Sequence, residues 1–164
     1  MHRVTASAMH GAKLGSDGQW SSVVVWGANK FAGADLTQSV LVESEAILGR
    51  NNTLIGRGEW LQKSAEDLVL DTPSLGFPSG QVFNVSELSL GYIRELTRWS
   101  GATLGLGAMG TLNVVPSSIA SVYGSRTPLG GLLFIRLRPT KKSADAMGGM
   151  RMHDMNSMRG GGVN

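Results

Sequence analysis

One glycine-rich segment has the residue spacing of a nucleotide-binding loop. Gly105, Gly107 and Gly110 lie in "GLGAMG" and match the G-x-G-x-x-G spacing that lets a backbone approach a dinucleotide pyrophosphate. Such a loop also needs a helix directly after it and an acidic residue about 20 positions later for the ribose. Here "TLNVVP" follows, and no Asp or Glu lies between Glu95 and Asp145. The segment is therefore predicted to be a strand, in which glycines on one face relieve crowding or let a neighbouring side chain fold inward.

The C-terminal segment "MGGMRMHDMNSMRGGGVN" (147–164) is rich in methionine and holds one histidine. Thioether sulfur is a soft ligand suited to Cu(I), and imidazole also accepts copper. A flexible chain with M-x-M and M-x-x-M spacings can place several sulfurs around one ion. We therefore expect either a Cu(I) site or a flexible glycine-rich tail whose methionines bind nothing. The candidate ligands are Met150, Met152, His153, Met155 and Met158.

The sequence contains no residue pattern typical of thiol, zinc–thiolate or serine-hydrolase catalysis. The chain contains no cysteine, which excludes disulfides, thiol catalysis and zinc–thiolate sites. A serine hydrolase needs Ser, His and a carboxylate on one surface. The only histidines are His2, His10 and His153, all near the chain ends, and none lies in a G-x-S-x-G context. We expect no enzymatic activity and, apart from the copper candidate, no cofactor.

The composition bounds the class of protein. The chain has 164 residues, 41% hydrophobic and 16% charged, with 23 glycines and a net charge of +3. The charged share is well below the usual quarter, and no dense basic face is evident, so no nucleic-acid partner is expected. No uninterrupted apolar stretch approaches about 18 residues, so no transmembrane helix is predicted. The segment "MHRVTASAMHG" lacks the apolar core of a signal peptide, which we expect to be absent from this chain.

Hydrophobic alternation with a period of two dominates the chain and predicts strands. Short turns ("GSDG", "GRNN", "RWSG") alternate with longer connections, of which 66–80 and 116–130 are the largest. That order is typical of an up-and-down antiparallel sheet, with tight turns at one end and long loops at the other. The strands are longer than the usual five or six residues. Seven are predicted, over 3–11, 18–31, 36–49, 52–65, 81–97, 101–115 and 129–139.

The polar faces of these strands carry a set of charges. Across the "GRNN" turn, Arg57 is predicted to lie opposite Glu43 or Glu45, and cross-strand pairs of opposite charge are stabilising. The set is interpreted as a charged lumen that selects solutes, as ion pairs that close a small barrel, or as a solvated face of the sheet. Its members are Glu43, Glu45, Arg57, Glu59, Glu87, Arg136 and Arg138.

Aromatic residues fall near the two ends of the predicted strands. Two aromatic bands on either side of an apolar zone about 25 Å tall are typical of a transmembrane β-barrel. A soluble β-core anchored by tryptophans is the alternative explanation. The residues of this aromatic girdle are Trp20, Trp26, Trp60, Tyr92 and Trp99.

On these patterns the chain resembles porin-type bacterial outer-membrane β-barrels, and most of all the C-terminal portion of one, which ends here in "GGLLFIRLRP" (130–139). The resemblance implies an all-β fold, an antiparallel up-and-down transmembrane β-barrel with about seven or eight strands in this chain, possibly part of a larger barrel. Residues 1–140 would form the strands and loops, and 141–164 a flexible basic tail. Barrels of this family have even strand counts, so we expect that upstream strands are absent or that one strand has been missed. The usual terminal aromatic is also missing.

The function that follows is passive. We expect a pore or a structural barrel with a charged inner face in the bacterial outer membrane, in contact with lipid and open to small polar solutes. The alternative is a soluble β-barrel or β-sandwich module that binds a small ligand.

Overall fold

The computed structural model describes residues 2–33, 35–99 and 101–139. They form seven antiparallel strands in one sheet, in which each strand pairs only with its neighbours in sequence. The strands are β1 (His2–Leu14), β2 (Gly18–Lys30), β3 (Leu36–Leu48), β4 (Asn52–Ser64), β5 (Val82–Trp99), β6 (Ala102–Val114) and β7 (Leu129–Pro139). The predicted all-β, up-and-down antiparallel order is confirmed. The sheet does not close into a barrel, because β1 and β7 are its two edges and do not pair with each other.

Connections of two lengths lie at opposite ends of the sheet. At one end, tight turns join β1 to β2, β3 to β4 and β5 to β6; Gly15, Gly49 and Gly101 in these turns have φ values of +65°, +62° and +100°. Glycine readily adopts this left-handed conformation because glycine has no Cβ atom. The other end carries the long loops, one of which contains a single 3-10 turn, Ser117–Ile119. Among the described residues, no helix is long and apolar enough to cross a membrane.

The two largest loops fold over one face of β4, β5 and β6 and form the apolar cluster that we call the loop cap. Leu70 and Ile119, one from each loop, are fully buried and pack with strand-end residues that include Phe83. Phe77 packs edge-on against Phe83, with ring centroids 5.5 Å apart. Backbone bonds tie the loops to the sheet, for example from Asn113 N–H on β6 to the Pro128 carbonyl at 2.9 Å. The loop cap is therefore the main apolar core of the described residues.

Elsewhere the sheet is strongly curved. Arg136 on β7 reaches Thr53 on β4, with its Nη2 atom 3.5 Å from Thr53 Oγ1. In a flat sheet these strands would be about 14 Å apart, three spacings of about 4.8 Å. We call the concave side, on which these residues meet, the inner face and the opposite side the outer face.

Burial is inverted between the two faces. On the inner face the polar residues Thr53, Ser89 and Thr103 are only 2%, 4% and 4% exposed. On the outer face Leu90 and Leu133 are 65% and 79% exposed. A soluble half-buried sheet shows the opposite arrangement, with its apolar face packed and its polar face in water.

Candidate functional site

The seven charged residues predicted on the polar faces all belong to the inner face. The strand register fixes this placement, because Glu43 pairs with Arg57 and Arg57 with Ser89 across β3, β4 and β5, and side chains alternate along each strand. The structure divides the seven into two groups, one near the middle of the strands and one at the tight-turn end.

The first group surrounds Arg57. Its guanidinium lies 3.5 Å from Glu43 and 3.0 Å from Glu59, and Glu43 is its direct cross-strand partner. Of the two partners predicted for Arg57, the register therefore selects Glu43. Glu45 lies on the same face, opposite Ile55. Glu59 and Glu87 are directly opposite each other on β4 and β5, a like-charge pair that is unfavourable without a nearby cation.

Hydroxyl groups extend this first group toward β6. The Ser89 hydroxyl donates to Glu87 Oε1 at 3.0 Å and also lies 3.0 Å from Thr111 Oγ1. Polar side chains of β5 and β6 thus satisfy one another on the inner face, as buried polar groups require.

The second group is the guanidinium cluster, which we define as Arg98, Arg136 and Arg138 around Glu95. Glu95 is the most buried charged residue described, at 7% exposure. It accepts from Arg98 at 3.1 Å, lies 3.5 Å from Arg136 and is also bonded by Arg138. Three positive groups thus surround one carboxylate at the end of the inner face.

Local backbone structure brings this cluster together. The β5–β6 register shifts between Glu95 and Thr97, so that Leu96 has no partner on β6. Such a bulge bends and twists its strand. Beyond it Arg98 pairs with Thr103, and Thr103 with Arg138, so one row of the inner face holds both arginines. In the adjacent row Gly105 lies between Glu95 and Arg136, where it places no side chain between the two charges.

Gly107, the second glycine of "GLGAMG", lies beneath an aromatic ring. A Cβ atom at this position would lie 2.6 Å and 2.9 Å from Cε2 and Cε1 of Phe134, and closer still to Cζ. The Phe134 ring of β7 therefore covers the bare backbone of β6, a packing that stabilises strand glycines. The prediction that these glycines let a neighbour fold inward is confirmed at Gly107, and the helix that a nucleotide-binding loop needs is absent, because the segment lies within β6.

The five predicted girdle residues all lie on the outer face and are all partly exposed. Trp20 and Tyr92 share one cross-strand row, and Trp26 and Trp60 share another. Six residues separate the two rows on β2, about 20 Å along the strand. The indole N–H of Trp20 donates to Ser44 at 2.7 Å and that of Trp26 to Gln38 at 3.2 Å. Trp99 ends β5 at the tight-turn end.

Sequence reasoning missed Glu95, Arg98 and Phe134. Glu95 and Phe134 lie in phase with the predicted inner residues of their own strands, so extending the alternation past residue 92 would have found Glu95. Arg98 could not be found this way, because the bulge reverses the phase of the last residues of β5.

The metal candidates cannot be placed. Met150, Met152, His153, Met155 and Met158 lie outside the described residues. Within the ranges that the structure describes, no group of three or more His, Cys, Asp or Glu side chains is arranged to hold a metal ion.

Comparison with protein-family models, with curated proteins and with solved structures found no match to this chain.

Proposed function

We propose that this chain forms membrane-spanning strands of a β-barrel in a bacterial outer membrane. The observation that carries the proposal is the inverted burial: the outer face exposes large aliphatic residues such as Leu90, Leu133 and Ile135, while the inner face buries polar ones. Exposed apolar patches this extensive are rare on soluble monomers. Lipid is the solvent in which such a face is stable.

Two further features support the same proposal. The outer-face aromatic rows flank an aliphatic zone that includes Val24, Val42 and Leu88, as interfacial girdles flank the lipid-facing band of a barrel. The alternation of tight turns and long loops would place all turns on one side of the membrane. In the proposed orientation the tight turns face the periplasm.

The proposal requires that the free edges of the sheet be paired. Unpaired backbone groups are costly in lipid, so a spanning sheet must close. With seven antiparallel strands, β1 and β7 run in the same direction. An odd number of additional strands would close the barrel with antiparallel pairs throughout.

Within this proposal, a structural barrel with a filled interior is favoured over an open pore. The loop cap covers the inner face at the long-loop end of β4, β5 and β6, and Ile93 and Phe134 fill it further toward the tight turns. Side chains fill the interior of small barrels in this way. A soluble module that binds a small ligand would instead need a polar outer face in contact with water.

Detergent dependence tests the proposal. The full chain, refolded in detergent, is expected to remain folded after transfer into phosphatidylcholine vesicles and to aggregate when detergent is removed without lipid. A chain that stays soluble and monomeric without detergent or lipid would contradict the proposal. Planar-bilayer recording then separates the two kinds of barrel, because a filled interior predicts no steady conductance, whereas an open pore predicts stable steps.

A further inference from the structure

We propose that the guanidinium cluster is a binding site for an oxyanion of the phosphate class. The site lies at the tight-turn end of the inner face, and its ligands are Arg98, Arg136 and Arg138. The proposal does not depend on the membrane, because it rests on charge and hydrogen-bonding geometry alone.

The charge balance of the guanidinium cluster favours an anion. Three guanidiniums surround the single carboxylate of Glu95, which leaves a net charge of +2. None of the three guanidiniums forms an ion pair with a second acidic residue in the described part of the chain. β6 and β7 contain no Asp or Glu, and Glu59, the one acidic residue of β4, pairs with Arg57. Clustered like charges that are partly withdrawn from water are stable only with a counter-charge. A phosphate dianion carries the charge that is missing.

The guanidinium N–H donors of the cluster are only partly used by protein acceptors. Within the described residues, all hydrogen bonds and ion pairs of these three guanidiniums leave from Nη2. Each guanidinium also has N–H donors on Nε and Nη1. Those donors have no protein partner among the described residues and are open to water or to an anion. The planar guanidinium fork fits the oxygens of phosphate in a bidentate way.

The guanidinium cluster is accessible from the tight-turn end and is held in place by its buried members. The side chains of Arg98 and Arg138 are about half exposed, so an anion can reach them from the tight-turn end. Arg136 is held more deeply by Thr53 and Glu95. Glu95 is 5% exposed in its side chain and serves as the fixed point that orients all three cations.

Two charge variants with opposite expected effects test the site. Inorganic phosphate is titrated calorimetrically into the full chain in dodecyl maltoside, at constant ionic strength balanced with chloride. We expect saturable binding that the double variant R136Q/R138Q weakens at least about tenfold, since the loss of even one charge-assisted bond to phosphate accounts for about a factor of ten. The variant E95Q removes the competing negative charge but keeps a side-chain oxygen that accepts hydrogen bonds from the arginines, and it is expected to strengthen phosphate binding. R98Q, at a half-exposed position, is also expected to weaken phosphate binding and can be used in place of a variant that does not fold.

A matched control keeps the net charge change the same. R3Q/R126Q also removes two positive charges, at positions outside the cluster, and is expected to leave phosphate affinity unchanged within about twofold. Absence of saturable binding by the wild-type chain, or equal weakening in both double variants, would overturn the proposal. Titrating soluble glycerophosphoglycerol, a lipid headgroup without acyl chains, in the same detergent distinguishes the sources of phosphate. Tighter binding of this headgroup than of inorganic phosphate would support a lipid headgroup as occupant, and weaker binding would support free phosphate.

Discussion

The Gly107→Ala substitution is expected to destabilise the chain far more than its small size suggests. The new methyl group would be pushed against Phe134, within 2.6 Å of Cε2 and 2.9 Å of Cε1. The ring can yield only by leaving its position over β6. Forced overpacking of this kind costs about 1 to 3 kcal/mol. The gain from replacing a strand glycine by alanine, about 0.5 to 1 kcal/mol, offsets only part of this.

Gly110 provides the matched control on the same strand. An added Cβ atom there meets no other atom within 4 Å, so Gly110→Ala should be neutral or stabilising by up to about 1 kcal/mol. Urea unfolding in lipid vesicles, followed by tryptophan fluorescence, measures both variants. A Phe134→Leu background removes the ring, and there the cost of Gly107→Ala should largely disappear. Equal stability of the Gly107 and Gly110 variants, or an undiminished cost without the ring, would refute the reasoning.

Three further predictions concern other parts of the chain. Glu95→Gln should lower the free energy of unfolding in urea by about 2 to 3 kcal/mol. Loss of one partner of a buried ion pair typically costs about 3 to 5 kcal/mol, but here two of the arginines are half exposed. An unchanged midpoint of urea unfolding would contradict the role of Glu95 as the fixed point of the cluster. Leu90→Arg on the outer face should cost about 2 to 4 kcal/mol in a bilayer, whereas a water-exposed position would tolerate it within about 0.5 kcal/mol; unfolding in vesicles decides between them. Deleting 147–158 should abolish any Cu(I) binding by the chain, measured by competition with a chromophoric chelator; a full chain that does not bind Cu(I) at micromolar levels, or retained binding after the deletion, would exclude the methionine-rich segment as a copper site.

The strands and their facing were predictable from the sequence because they depend on local alternation. The predicted strands at 18–31, 36–49 and 52–65 differ from β2, β3 and β4 by a residue at their C-terminal ends. Facing follows directly from a period of two, which placed all seven predicted charges on the inner face.

The ion-pair partners, the guanidinium cluster and the loop cap could not be predicted in this way, because they depend on contacts between residues far apart in the sequence. The choice of Glu43 over Glu45 as the partner of Arg57 needed the actual turn length, because a one-residue slip exchanges partners. The guanidinium cluster depends on the bulge after Glu95 and on curvature that brings β7 toward β4 and β5. The loop cap depends on how two loops fold together, and Phe77 and Ile119 carry no periodic pattern that would predict it. The alternation of polar and apolar residues does not predict the curvature of the sheet, and this curvature determines whether the sheet closes.

The central claim, that the outer face contacts lipid acyl chains, is tested most directly by fluorescence quenching at one outer-face position. In a chain whose four tryptophans are replaced by phenylalanine, Leu90→Trp places a single indole in the middle of the outer face, where Leu90 is 65% exposed. In vesicles whose acyl chains carry bromine near the bilayer centre, the account predicts strong quenching of this indole and little quenching by aqueous acrylamide. Strong quenching by acrylamide with none from the brominated lipid would contradict it.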